Sequence, residues 1–127
     1  MGVPKVLVVD DEPEIVKAVG MRLRARGFEV LSAMDGVQAT ALACSALPDV
    51  IILDIGMPAG NGHIVASRLK ENPKTASIPV IFLTARTSLR DYRHAVKEGV
   101  RKYITKPYDP EMLADAVEDL LPQPAEA

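Results

Sequence analysis

Five short apolar runs divide the chain, and polar residues directly follow four of them. They are Lys5-Val6-Leu7-Val8-Val9, Phe28-Glu29-Val30-Leu31-Ser32, Val50-Ile51-Ile52-Leu53, Ile78-Pro79-Val80-Ile81-Phe82-Leu83 and Lys102-Tyr103-Ile104-Thr105. Branched apolar runs between breakers read as strands buried on both faces. The second is the weaker one, because Glu29 interrupts it. Between the runs the period changes to that of a helix. After Pro13, Ile15, Val16, Val19 and Leu23 share a stripe, Lys17, Arg22, Arg24 and Arg26 lie mostly off it, and Gly27 stops the helix. Asp35 with Gln38 resembles a capping box and opens an alanine-rich helix to about Ala46, closed by Pro48. A third helix runs from His63 to Glu71, capped near Asn61, with Val65, Ala66 and Leu69 inward, and Asn72-Pro73 ends it. The fourth, over Ser88 to Glu98, carries only the thin stripe Leu89, Tyr92 and Val96, and should be the least firmly anchored. Asp109 caps the last, with Pro110 at its first position and Met112, Leu113, Ala116, Val117 and Leu120 as its inner face.

Strands and helices alternate throughout. That pattern calls for an α/β fold: a doubly wound, five-stranded parallel sheet with five helices on its two faces, for which right-handed crossovers leave few strand orders, 2-1-3-4-5 among them. Residues 1–121 then form one domain, and residues 122–127, rich in Pro and Ala, form a flexible tail or a cut linker. No internal repeat is visible.

Composition narrows the picture little further. The 127 residues are enough for a single core, and 48% of them are hydrophobic. With 15 Lys and Arg against 17 Asp and Glu, bulk charge argues neither for nucleic acid nor for an anionic membrane. No apolar run reaches membrane-spanning length, the first residues lack a secretory pattern, and the one cysteine, Cys44, has no internal partner. A cytoplasmic setting is expected.

The candidate chemistry lies at the strand ends. In an open α/β sheet, ligands bind beyond the carboxyl ends of the strands, where the strand order reverses. The first run ends in Asp10-Asp11-Glu12, the third in Asp54, the fourth in Thr84 and the fifth in Lys106. The second run ends in Ser32-Ala33-Met34 and belongs at an edge. Asp10, Asp11 and Asp54 brought together would repel one another. A hard divalent cation removes that conflict, and Mg²⁺ suits an all-oxygen site with no Cys or His cluster. Metal, lysine and hydroxyl together suit three phosphoryl oxygens, and Asp54 is placed to attack phosphorus and become an acyl phosphate.

With those residues in view, the chain resembles the receiver domains of two-component response regulators, of the chemotaxis-receiver type, over about residues 4–121. The motifs are Val8-Val9-Asp10-Asp11-Glu12-Pro13, Leu53-Asp54-Ile55-Gly56-Met57-Pro58 with Gly62, Leu83-Thr84-Ala85, and Tyr103-Ile104-Thr105-Lys106-Pro107. Each is short; all four in order at these spacings are specific. The strand order above is partly the family's own. The resemblance implies a flavodoxin-like fold and a Mg²⁺-dependent phosphoacceptor, not a turnover enzyme, although one that promotes its own phosphorylation and dephosphorylation. Asp54 would take a phosphoryl group from a sensor histidine kinase or a histidine phosphotransfer protein. Asp11, Asp54 and the main-chain carbonyl of Gly56 would ligate the metal, with Asp10 acting mainly through a water. Lys106 would pair with Asp54 at rest and with the phosphoryl group afterwards, and the Lys106-Pro107 peptide bond would be cis. Thr84 would move to the phosphoryl group and Tyr103 turn from exposed to buried, controlling an unidentified partner or effector domain. A monomer or a phosphorylation-dependent dimer is expected, with no direct binding of nucleic acid or membrane by this segment.

Blander readings stand beside these. A single Asp after a strand is often only a cap. Tyr103 in a short edge strand can be mere packing. His63 reads as an exposed helix start, His94 as solvated and Cys44 as a small core residue. Two positions depart from the family's habit: Gly56 leaves space beside Asp54, and Arg86 can reach across it, with opposite effects on hydrolysis. Arg86, Arg90, Arg93, Lys97, Arg101 and Lys102 make one segment locally basic, either a solvated face or a docking surface for an acidic partner. A hydrolase with an aspartyl intermediate is disfavoured, since no second carboxylate follows Asp54 by two residues. A phosphorylation-independent binding module would be expected to lack one of the acidic or lysine positions, and none is lost. A dinucleotide site is disfavoured by the absence of Gly-x-Gly-x-x-Gly after the first run.

Overall fold

Branched side chains cover both faces of the central strands, so helices must cover both faces of the sheet. In the computed structural model, which describes residues 2–55, 62–84, 93, 97, 100–105 and 108–121, they do. The order is β1 (Lys5–Val9), α1 (Pro13–Ala25), β2 (Glu29–Ala33), α2 (Gly36–Ala46), β3 (Val50–Asp54), α3 (Gly62–Glu71), β4 (Val80–Thr84), β5 (Lys102–Thr105) and α4 (Pro110–Leu120). All pairings are parallel, in the expected order β2-β1-β3-β4-β5. Of the helix expected over residues 88–98, only Arg93 and Lys97 are described, both helical. The tail, residues 122–127, lies outside the described residues.

The alternation of side chains along each strand divides the core in two. Leu7, Val9, Ile51, Leu53, Val80 and Phe82 face α2 and α3, meeting Ala39, Ala43, Val65, Ala66 and Leu69. Val6, Val8, Val50, Ile52, Ile81 and Leu83 face α1 and α4, meeting Val19, Leu23, Leu113, Ala114 and Val117. Each fully buried Val, Leu, Ile or Phe contributes about 1.5–3 kcal/mol, so these strands anchor the fold. The alanines of α2 let that helix approach the sheet closely.

Two strand boundaries and one helix face differ from the sequence reading. β2 begins at Glu29 rather than Phe28 and runs to Ala33, in register with Val9. β4 begins at Val80: Pro79 has no N–H to give to a ladder, although its carbonyl accepts from Ile51 N at 3.0 Å. On α4 the inner face is Leu113, Ala114, Ala116 and Val117, with Leu120 partly buried against the same core, while Met112 is 48% exposed, one helical step off that stripe.

The helix ends follow their signals. The Asp35 carboxylate accepts from Gln38 N at 2.8 Å, and Gln38 Oε1 accepts in return from Met34 N at 2.8 Å. The return bond thus goes one residue before the cap, a variation on the capping box. Gly27 takes φ +93° after α1, and Asp109 accepts from Glu111 N at 3.0 Å to open α4. Across the α1–α4 contact Arg26 meets Glu111 and Asp115, each at 2.6 Å, and Glu118 at 3.3 Å, with Arg22 to Glu111 at 3.1 Å. Those bonds, to Glu111 first and then Asp115, raise the Arg26 pKa further above its ordinary value.

Candidate functional site

β1 and β3 lie side by side, and their last pair is Val9 with Leu53. The next residue on each strand is an aspartate, so the sheet itself brings Asp10 and Asp54 to neighbouring positions at its carboxyl edge. Both are buried, Asp10 fully and Asp54 to 4% exposure. Buried carboxylates need polar partners, and the turn after β1 supplies one: Glu12 N donates to Asp10 Oδ1 at 2.9 Å. Asp10 N donates to Ala33 O at 3.2 Å and Ile55 N to Leu83 O at 3.1 Å, which fixes the backbone on either side of the crevice.

The same turn folds the chain back so that carboxylate oxygens of Asp10, Asp11 and Glu12 all lie within 4.8 Å of one another. Asp54 stands outside this tight group. Glu12, to which the sequence reading gave no metal role, completes it. Three carboxylates at this spacing are an oxygen donor set that fits a hard divalent cation, which would relieve their mutual repulsion.

A second residue missed by the sequence reading is Tyr108, three positions beyond the end of β5. Its hydroxyl is buried and has no hydrogen-bond partner among the described residues. Its pKa is pushed up to about 12, first by burial and then by the charges of Asp10, Asp54 and Glu12. One phenol therefore lies within the field of carboxylates from β1, from the following turn and from β3. Only its position one residue after Lys106-Pro107 could have marked it, and an aromatic there reads as packing.

The other expected residues fall as follows. Thr84, 1% exposed, ends β4 and pairs with Thr105 of β5. Tyr103 is half-buried against the core on the α2–α3 side. Gly62, at the start of α3, approaches the residue after Asp54 so closely that an added Cβ would stand 2.5 Å from Ile55 Cα. Gly56, Arg86, Lys106 and Pro107 lie outside the described residues, as does His94. His63 is half-buried rather than exposed, its ring edge-on to Phe82 with centroids 5.2 Å apart. Cys44 is also half-buried, outside the full core, and its Sγ accepts from Asn72 Nδ2 at 3.2 Å.

An acidic crevice at the switch in strand order of a 2-1-3-4-5 sheet defines a class of doubly wound domain that works at its carboxyl edge. The chain belongs to the response regulator receiver domain family, whose model matches residues 6–118. It is a receiver domain of the two-component signalling type. It is similar to the "DNA-binding dual master transcriptional regulator RpaA" of Synechocystis, 38% identical over 118 residues, which are 93% of this chain and 49% of RpaA. Protein PilH of Pseudomonas aeruginosa is 35% identical over 92% of this chain and 97% of PilH. The chemotaxis protein CheY4 of Vibrio cholerae superposes with a TM-score of 0.89 at 32% identity, covering 94% of this chain and all of that one. The chain thus spans about half of RpaA, and about a quarter of response regulator PleD of Caulobacter vibrioides. No helix among the described residues is long and apolar enough to cross a membrane.

Proposed function

We propose that this chain is a Mg²⁺-dependent phosphoacceptor switch with Asp54 as the acceptor. The observation that carries this reading is the buried Asp54 at the carboxyl end of the central strand β3, beside Asp10, the residue that follows β1. A carboxylate oxygen of Asp54 attacks the phosphorus of a phosphohistidine on a sensor kinase or phosphotransfer protein. The P–O bond forms as the P–N bond breaks, and the electron pair returns to the imidazole nitrogen, which takes a proton. Self-dephosphorylation is the attack of water on the same phosphorus, restoring the carboxylate and releasing inorganic phosphate.

Asp11, Asp54 and the Gly56 carbonyl would hold Mg²⁺, with Asp10 acting mainly through a water and Glu12 beside Asp10 and Asp11. When bound, the ion neutralises the carboxylates and the developing phosphoryl charge. Lys106 supplies a second positive charge. Thr84 donates its hydroxyl to the phosphoryl group, and Tyr103 moves inward as Thr84 moves. The new charge and acceptor oxygens shift the population between two states that already exist. Helix 88–98 completes the fold as the fifth helix, residues 1–121 form the folded unit, and residues 122–127 are a tail or linker. The switch works in the cytoplasm, as a monomer or phosphorylation-dependent dimer, on a partner or effector domain.

Hydroxylamine trapping tests the chemistry. An acyl phosphate on Asp54 yields a hydroxamate that peptide mapping places at residue 54. A hydroxylamine-stable phosphate, or a hydroxamate at another carboxylate, would exclude Asp54 as the acceptor.

A further inference from the structure

Tyr108 sits between the end of β5 and Asp109, the cap of α4. Its ring packs, partly buried, against the core on the α1–α4 side. Phenylalanine would fill the same space without an oxygen. The oxygen has a cost, because a buried O–H without an acceptor loses hydration that nothing replaces. Yet it is held where the carboxylates of Asp10, Asp54 and Glu12 all act on it. An unfavourable polar group facing an acidic crevice makes sense if the group is satisfied when the crevice is filled.

We propose that Tyr108 is a positioning residue of the acidic site: its hydroxyl hydrogen-bonds to the hydration shell of the divalent cation and so raises the affinity for it. This rests on the Mg²⁺ reading above. A phenol suits the task for two reasons. It both donates and accepts, so it can accept a hydrogen bond from one metal-bound water and donate its own O–H to another water of the shell. It is also neutral, and adds no further charge to a site already crowded with carboxylates. Mg²⁺ keeps several of its waters in protein sites, and those waters need partners beyond the ligands themselves. Losing such an outer partner weakens metal binding by about 10- to 100-fold.

The test compares wild type with Tyr108→Phe in two measurements: Mg²⁺ affinity by calorimetry, and denaturant unfolding in chelator. The expected result has opposite signs in the two. Mg²⁺ binds the variant about tenfold more weakly, while metal-free stability is unchanged or higher, because an unsatisfied hydroxyl has been removed. A hydroxyl that only supports packing would lower metal-free stability, and that outcome overturns the proposal. So does Mg²⁺ affinity unchanged within about twofold, well below the expected loss. Wild type that binds no Mg²⁺ would instead sink the metal reading itself, and this inference with it. Should the variant not fold, the ζ carbon of Tyr108 in carbon-13-labelled wild type gives the answer: its resonance shifts as Mg²⁺ is added, and a resonance that stays in place refutes the role.

Discussion

Gly62 shows how little room surrounds the acceptor. A Cβ there would stand 2.5 Å from Ile55 Cα and 2.7 Å from Ile55 Cγ2. Ile55 is the residue after Asp54, pinned to β4 through its N–H. Backbone cannot yield as a flexible side chain can, so Gly62→Ala must move either α3 or the end of β3. Overpacking of this kind costs about 1–3 kcal/mol. Denaturant midpoints should show a loss in that range, and a variant as stable as wild type would contradict the close approach. Tyr108 makes a second prediction at this scale, in pH. The folded pKa is about 12 against an ordinary 10, so between those values the native state holds a proton that the unfolded state has released. Stability from this group is complete below pH 10 and falls as pH rises towards 12. In chelator, wild type should lose stability more steeply through that window than Tyr108→Phe. Equal slopes would contradict the burial of the hydroxyl.

Among the elements, α2 and the α1–α4 pair carry distinct strains and supports. Leu47 closes α2 in the left-handed region, at φ 49°, with half of its surface exposed. An L-residue there costs about 1–2 kcal/mol, part of which glycine returns through a more flexible unfolded chain. Leu47→Gly should therefore stabilise the domain, by about 0.5–1 kcal/mol, and a lower melting temperature would contradict the assignment. Arg26 ties α1 to three carboxylates of α4. Arg26→Ala should lower the melting temperature, and the difference should shrink in high salt, which screens such exposed pairs. A difference that salt leaves unchanged would mean that packing of the arginine stem matters more than its charge.

At this scale, too, the limits of the sequence become physical. The runs of β1, β3 and β4 were legible because burial on both faces leaves little but branched apolar residues. β2 was misplaced by one residue, since an edge strand with Glu29 and Ser32 has a weaker pattern and its register comes from β1. Met112 reads as inward from the sequence because α4 carries apolar residues on more than one face, and only the contact with the sheet decides which are buried. The aspartates of the crevice were legible as strand-end residues. Glu12 and Tyr108 were not, because one depends on how the chain turns after Asp10, and the other on where the segment between β5 and α4 comes within the field of the carboxylates.

For the whole molecule, topology does the gathering. Residues 10 and 54 become neighbours because β3 crosses back beside β1, and β4 lies next to β3 with Thr84 at its end. The surrounding layers hold this edge in place, so a change of charge there acts on packed elements from several strands at once. The claim at the centre is that Asp54 accepts a phosphoryl group with Mg²⁺ in place. The most direct measurement is the intact mass of wild type and Asp54→Asn after incubation with acetyl phosphate, in Mg²⁺ and in chelator, with released phosphate followed in the same samples. Wild type should gain a single phosphoryl group, or release phosphate continuously, only when Mg²⁺ is present, and Asp54→Asn should do neither. An unchanged wild type that releases no phosphate, or an adduct that persists in Asp54→Asn, would contradict it.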